Sequence, residues 1–388
     1  MKIGLLTFHH VLNEGAALQA YSLSKKMREI FSEDKVEVID YRPLATEIRD
    51  FFYVLGGIKK PHLFAHRLRR YLNFRKFIRS RLPLSKDQLI SDRYDHAMNF
   101  LKSKYDVVIV GSDEVWKKDN SRFSRPFPNI YWLPAPLGFK KFAFAASANK
   151  MDYQTLTGDQ RAWMKLCLDT FTLIGVRDRH TQAMIESIGA YDASRVRRVP
   201  DPTFMLEETT PVSDRLRGYG IDLTRPILLI TFHDKQCLGP LIGHFKSKGF
   251  QTVALTAYSP SAEFNLADKF SPLEWASVYG HATLCLTNLF HGTIFCIKNA
   301  VPFLSFDYYK RADRDTKIHD LLEEFQLTAR FVEVNARDFD PVSLIVKAET
   351  AVQKKADRSH MLGRCKRDGE GFLELIKAKV HAGRKAAI

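Results

Sequence analysis

Residues 284–302, LCLTNLFHGTIFCIKNAVP, decide how this chain is read. Thr283–Leu286 has the composition of a short buried strand. Polar Thr287 and Asn288 interrupt it, His291-Gly292-Thr293 follows, and Ile294–Ala300 is a compact run of helical length. Val301–Phe306 is a second apolar run after the Asn-Ala-Val-Pro punctuation. Strand, turn, helix and strand make a βαβ unit with His291 at the corner where strand gives way to helix. Free backbone N–H groups and the helix dipole favour an anion at such a corner, and a histidine beside them can bind or protonate it. The alternative is a histidine that caps the helix or fills the core.

The same alternation extends outward. Lys2–Phe8 reads as a strand ending in His9-His10, Val11–Ala16 as a loop carrying Asn13, Glu14 and Gly15, Ala17–Phe31 as a helix and Val36–Tyr41 as a strand. No GxGxxG fingerprint is present, so this is not a dinucleotide motif. Asp106–Val110 is a buried-type strand running into Gly111-Ser112-Asp113-Glu114-Val115-Trp116. Carboxylates that accept from hydroxyls and an indole that stacks on a pyranose make this a sugar-site candidate, against a turn capped by Ser112 or Asp113. Thr172–Arg177 is a strand whose last residue suits bidentate contact with a carboxylate or phosphate, against simple pairing with Asp178 or Asp201. A polar stretch, residues 207–225, reads as a linker between a domain of residues 1–206 and a second α/β domain of residues 226–340. Thr316–Phe325 is an amphipathic helix with Lys317 in its first turn, and residues 341–388 form a basic helical tail.

Composition narrows the function classes. The 388 residues are 45% hydrophobic and 27% charged, which is globular and ample for two domains. Fifty-nine Lys and Arg against 44 Asp and Glu give a net charge of +15, which suits an anionic partner. Five scattered cysteines without a CxxC pair fit neither a disulfide framework nor a zinc site, and no metal-ligand cluster stands out. No apolar run is long enough to span a bilayer. The expectation is a cytoplasmic protein, with peripheral contact at the inner face of the cell membrane through the basic stretch Lys59–Lys86 as an option. That stretch reads equally as a lid over an acidic substrate or as a solvated helix face. No nucleic-acid-binding module surrounds it, so no nucleic-acid partner is expected.

Several segments together, KIGLLTFHHVLNEGAALQAYSL, DVVIVGSDEVW, GVRD, PDPTF, TNLFHGTIFCIKNAVPF and TKIHDLLEEF, resemble the polysaccharide pyruvyltransferase family in order and spacing. The resemblance implies an α/β, GT-B-like fold of two Rossmann-like, doubly wound domains facing a cleft. It also implies transfer of the enolpyruvyl group of phosphoenolpyruvate onto two hydroxyls of one sugar, in a cell-surface polysaccharide or its lipid-linked precursor, with release of phosphate and no cofactor. His291 matches the family histidine and is the candidate proton handler, with Asp113 or Glu114 orienting the attacking hydroxyl. Arg177 from the N-terminal domain and Lys317, His291, Gly292 and Asn288 from the C-terminal side, the expected donor side, would hold phosphoenolpyruvate. Asn13, Glu14, Gly15, Ser112 and Trp116 would meet the acceptor on the N-terminal side. Phe290 stands where many relatives carry Arg, and GSDEVWK replaces the common GSDQVWN, which leaves one phosphate contact and the acceptor's identity open. The rival readings are a GT-B glycosyltransferase using a nucleotide-sugar and a non-catalytic binder of anionic glycans.

Overall fold

Short apolar runs alternating with helices resolve into two parallel sheets, each covered on both faces, as parallel strands require. The computed structural model describes residues 1–58, 61–118, 127–189, 192–232, 238–307, 316–334, 340–354 and 357–382. The chain opens with β1 (Lys2–Leu6), α1 (Glu14–Ile30), β2 (Lys35–Arg42), α2 (Leu44–Leu55), α3 (Pro61–Arg81), β3 (Leu84–Ile90) and α4 (Tyr94–Leu101). Then come β4 (Val107–Val110), β5 (Lys140–Ala146), α5 (Gly158–Leu168), β6 (Phe171–Val176), α6 (Arg179–Ile188) and β7 (Val196–Arg198). The later part holds α7 (Ser213–Gly218), β8 (Ile227–Thr231), α8 (Gly239–Ser247), β9 (Gln251–Ala254), β10 (Phe264–Asn265) and α9 (Pro272–Val278). It ends with β11 (Leu284–Thr287), α10 (Phe290–Lys298), β12 (Phe303–Asp307), α11 (Lys317–Glu324), β13 (Phe331–Glu333), α12 (Pro341–Gln353) and α13 (Ser359–His381).

Among the described residues the first sheet runs β3-β2-β1-β4-β5-β6-β7 and the second β10-β9-β8-β11-β12-β13, with every pairing parallel. Both are doubly wound, and the strand order reverses between β1 and β4 in one and between β8 and β11 in the other. Ligands of such sheets sit beyond the carboxyl ends of the strands at those points. The corner at His291 follows β11, and Ser112–Asp113 follow β4, so the two best sequence candidates fall at the two switch points.

Each unit has its own core. Val107–Val110 is fully enclosed at the centre of the first sheet, each such side chain contributing roughly 1.5–3 kcal/mol of burial as an upper bound. Trp116, Trp132 and Phe171 extend that core. Leu228, Leu286, Leu304 and Phe306 anchor the second.

The structural units differ from the sequence division. One comprises Met1–Gly56, Arg75–Leu206 and the chain from Arg364; the other comprises Gly57–Phe74 and Glu207–Gly363. The tail rejoins the first unit because α13 turns an apolar face to it. Phe372 lies 6.0 Å from Phe144 and Glu370 pairs with Lys26 at 2.9 Å. Residues 207–225 are not a bare linker, since they form α7, and Gln251 ties Asp222 to the second unit. Helix α3 divides between the units. Its first half joins the second, where His66 Nδ1 lies 3.0 Å from Asp268 Oδ1 and Arg69 Nε donates to Oδ2 at 2.7 Å. In its second half Phe74, Phe77 and Ile78 are buried, which is the arrangement of a basic helix packed on a core. Lys59 and Lys60, at the start of the basic stretch, lie outside the described residues. Among the described residues no helix is long and apolar enough to cross a membrane.

Candidate active site

In the second unit, β11 ends at buried Thr287, whose hydroxyl accepts from the Leu289 amide at 3.1 Å. Helix α10 then begins at Phe290, four residues earlier than the apolar run suggests, so His291 stands inside the first turn. The N-cap is Leu289, which has no side-chain oxygen to offer, and the first-turn amides have no side-chain cap. Uncapped amides at a helix start favour an anion. Thr293 fixes the corner by donating to Leu289 O at 3.1 Å and lying 2.7 Å from Ser305 Oγ of β12. Gly292 is required for the close approach, since a Cβ there would sit 2.2 Å from Thr287 Oγ1 and 3.1 Å from Tyr279 Oη.

Helix α11 brings a cation to the same place. Thr316 caps it by accepting from the His319 amide, and Lys317 opens its first turn. The Lys317 ammonium lies 5.5 Å from the centre of the Phe290 ring, and that ring meets the His291 imidazole edge-on at 5.4 Å. Asn288 adds a buried side-chain oxygen with no hydrogen-bond partner among the described residues. His291, Gly292, Asn288 and Lys317 are therefore gathered by one unit. An imidazole, an ammonium and an uncapped helix start are thus borne by neighbouring parts of one unit, a combination whose chemistry suits a small anion.

In the first unit, β4 hands over at Gly111, whose φ of +115° and Cβ clearance of 2.2 Å from Phe144 O admit only glycine. Asp113 follows with φ of +87°, a strained setting for a non-glycine residue. It is held by main-chain bonds on both sides, its carbonyl accepting from Ser147 N at 3.0 Å and Val115 N at 2.8 Å. The Asp113 and Glu114 side chains stay partly exposed, and Asn149 donates to Glu114 at 2.6 Å. Ser112 is enclosed and holds Thr7 through its carbonyl.

Trp116 corrects the sugar-stacking expectation. It is 0% exposed, its indole N–H donates to Tyr131 O at 3.1 Å, and its ring stacks on Trp132 at 5.4 Å with Phe171 edge-on. The apolar payload of the indole is spent in the core. Asn13 likewise takes the role of a cap: its Oδ1 accepts from Ala16 N at 3.1 Å, so α1 starts at Glu14 rather than Ala17, and Glu14 and Gly15 are buried in its first turn.

Arg177 also changes its meaning. It is buried, donates to Asp201 at 3.2 Å and lies 3.8 Å from Asp113. Burial works against its charge, but Asp201, Asp113, Asp178 and Glu114 outweigh burial and push its pKa above the ordinary arginine value. Four carboxylates thus surround the guanidinium, one of them, Glu114, also facing the Lys117 ammonium at 3.6 Å. The pairing with Asp201, one of the two readings open from sequence, is the one observed. Arg177 and Lys317 belong to different units, and Lys317 shares its unit with His291.

Sequence reading overlooked part of this network. Gln19 in α1 donates to Asp201 Oδ2, and Asp201 Oδ1 accepts from Thr203 N at 3.0 Å. His9 Nε2 lies 3.0 Å from Asp40, which Arg42 clamps with two bonds of 2.7 and 3.0 Å. His10 is fully enclosed, and burial, then His9, Arg75, Arg42 and Arg49, lower its pKa well below the usual value. Two histidines directly after the strand at a switch point were the available signal. Among the described residues no group of three or more His, Cys, Asp or Glu side chains is placed to hold a metal ion.

Comparison with known proteins agrees with this architecture. The chain is similar to a UDP-GlcNAc 2-epimerase from Methanocaldococcus jannaschii, with a TM-score of 0.57, 15% identity and coverage of 97% of this chain and 99% of that one. It is similar to the UDP-GlcNAc 2-epimerase from Neisseria meningitidis solved with UDP-GlcNAc, with a TM-score of 0.58, 9% identity and coverage of 99% and 100%. Likeness at this identity concerns the fold alone, which is of the GT-B type. No curated protein matches the chain. A family model described as polysaccharide pyruvyl transferase matches residues 13–310, a span that includes the Asp113 turn, Arg177 and the corner at His291. The chain is a member of the polysaccharide pyruvyl transferase family.

Proposed function

We propose that the protein is a phosphoenolpyruvate-dependent ketal pyruvyltransferase acting on a sugar of a cell-surface polysaccharide or its lipid-linked precursor. The observation that carries this reading is the gathering of His291, Lys317 and the uncapped start of α10 in one unit. Phosphoenolpyruvate bears a phosphate and a carboxylate, and Lys317 with the first-turn amides supplies charge and donors for them. Gly292 keeps those amides open, and Asn288 offers an acceptor beside them. Asp113 and Glu114, partly exposed and anionic, are assigned to the acceptor hydroxyls in the first unit, with Arg177 holding Asp113 and Asp201 in place as a positioning residue.

The chemistry divides into two steps. In the first, His291 in its protonated form delivers a proton to the methylene carbon while one sugar hydroxyl adds to C2, giving a tetrahedral phosphoketal. In the second, the C2–O bond to phosphate breaks, the second hydroxyl adds to C2, and the cyclic ketal forms. One hydroxyl proton replaces the proton spent on the methyl group and the other leaves with inorganic phosphate, so the imidazole returns to its starting state. An imidazole, which can both give and accept a proton, is suited to both transfers.

The test is mass spectrometry for a ketal adduct after incubation with phosphoenolpyruvate and a panel of soluble and lipid-linked glycans, alongside phosphate release. His291→Ala and His291→Gln are expected to lower turnover by about 10²–10⁴-fold with donor affinity largely retained. Tight binding of a nucleotide-sugar with none of phosphoenolpyruvate would overturn the assignment in favour of a glycosyltransferase.

A further inference from the structure

Helix α2 is built inside out. The residues it turns inward are Thr46, Asp50 and Val54, and Glu47 beside them is tied to Arg75 of α3 at 2.5 Å. Its outward face carries Leu44, Ile48, Phe51 and Phe52, with the two phenylalanines 59% and 58% exposed. These positions recur at i, i+4, i+7 and i+8, one continuous stripe of a helix. Ile90 at the end of β3, in register with Arg42 just before α2, is exposed as well, at 44%. Single exposed apolar residues need no explanation, but a contiguous aliphatic and aromatic stripe marks a docking surface.

The charges around the stripe say what covers it. Arg49 flanks the stripe, part-exposed and paired with the inward-turned Asp50 at 3.3 Å. Lys76, Arg79 and Arg81 are exposed on the half of α3 that belongs to the same unit, which Arg75 fastens to α2. An apolar stripe beside a helix with exposed cations is the composition of a surface that lies on an anionic lipid interface. Twelve residues make a helix about 18 Å long, enough to seat four large side chains. A second copy of the chain fits less well, because each copy carries a net charge of +15 and like charge opposes self-association. We propose that the outward face of α2 docks the protein on an anionic membrane surface, with Leu44, Ile48, Phe51 and Phe52 entering the headgroup region and Arg49, Lys76, Arg79 and Arg81 meeting lipid phosphates. The seat differs from the one expected from the basic stretch alone: α3 supplies the charge and α2 the apolar contact.

The test is co-sedimentation of the full chain with vesicles of phosphatidylcholine, with and without phosphatidylglycerol. Binding to the anionic vesicles is expected, weakening as salt rises, with Phe51→Ser/Phe52→Ser lowering the partition coefficient by roughly a hundredfold. Arg79→Gln is expected to lower it by about fivefold. Both variants alter exposed positions, and an unchanged thermal midpoint verifies that they fold. No binding by the unaltered chain, or equal binding by the double variant, overturns the proposal. Self-association that the double variant abolishes, without vesicle binding, overturns it in favour of a contact between copies. Pyruvylation of a soluble acceptor does not need this surface, so failure here and failure of the proposed reaction are read separately.

Discussion

The packing of α10 on β11 gives a sharp test in Gly292→Ala. The added Cβ would lie 2.2 Å from Thr287 Oγ1, about 1 Å inside an ordinary carbon–oxygen contact. Two responses are open. Thr287 can rotate its hydroxyl away and abandon the Leu289 amide, losing a buried hydrogen bond of roughly 0.5–1.5 kcal/mol. Alternatively the first turn of α10 can lift from the strand, and overpacking of this kind costs about 1–3 kcal/mol. Either way the thermal midpoint should fall by several degrees, since each kcal/mol is worth about 2–4 °C in a chain or unit of this size. The lift also moves His291, the preceding residue, and a misplacement of about 1 Å can cost on the order of 100-fold in turnover. The assay pairs thermal unfolding with phosphate release from phosphoenolpyruvate. Thr287→Ala in the same chain removes the clashing oxygen and leaves contacts of 3.1 and 3.2 Å, so the double variant should recover turnover while still lacking the acceptor of the Leu289 amide, a loss of roughly 0.5–1.5 kcal/mol. Gly292→Ala with unaltered stability and turnover would refute the claim that this glycine sets the site.

Further outcomes follow from the same geometry. Arg177→Ala strands buried Asp201 and should cost about 3–5 kcal/mol, so its unfolding midpoint should fall by on the order of 10 °C; an unchanged midpoint with a raised KM for phosphoenolpyruvate would restore Arg177 to the donor. Trp116→Phe should lower stability while leaving KM for the glycan unchanged, and a selective rise in that KM would mean the indole meets sugar. The Asp268 carboxyl resists burial, which alone would raise its pKa, because the bond to His66 and the charges of Arg69 and Lys269 hold it at about 2. A depressed carboxyl contributes its stability above the unfolded value near 4 and loses it as pH falls from there towards 2, so up to ~2 kcal/mol should disappear across that acid window. Unfolding profiles of the unaltered chain and Asp268→Asn should therefore converge at low pH, and parallel profiles would refute the pairing.

Much of the architecture was legible because its signals are local. Val107–Val110 reads as a strand from four branched apolar residues, and Ser, Thr, Asn or Gly at the corners mark where strands stop. Strand β3 was not legible: LSKDQLI lies at the sheet edge with most of its side chains in water, so it lacks the apolar run that betrays a central strand. The start of α10 is hidden in the sequence because Phe290 and His291 look like the tail of the preceding strand, and only the position of Thr287 makes them a first turn.

For the site, the order of residues along the chain determined the two sheets, the switch points and the corner that carries His291, since each depends on neighbours a few positions apart. Tertiary structure alone decided what the longer-range partners do. Arg177 found Asp201 24 positions on, Trp116 found Trp132 and Phe171, His66 found Asp268, and Lys317 came to rest over Phe290. It also turned the apolar side of α2 outward. A side chain's chemistry is written in its own identity, but whether that chemistry is offered to a ligand or consumed by a neighbour depends on distances that only the folded chain creates.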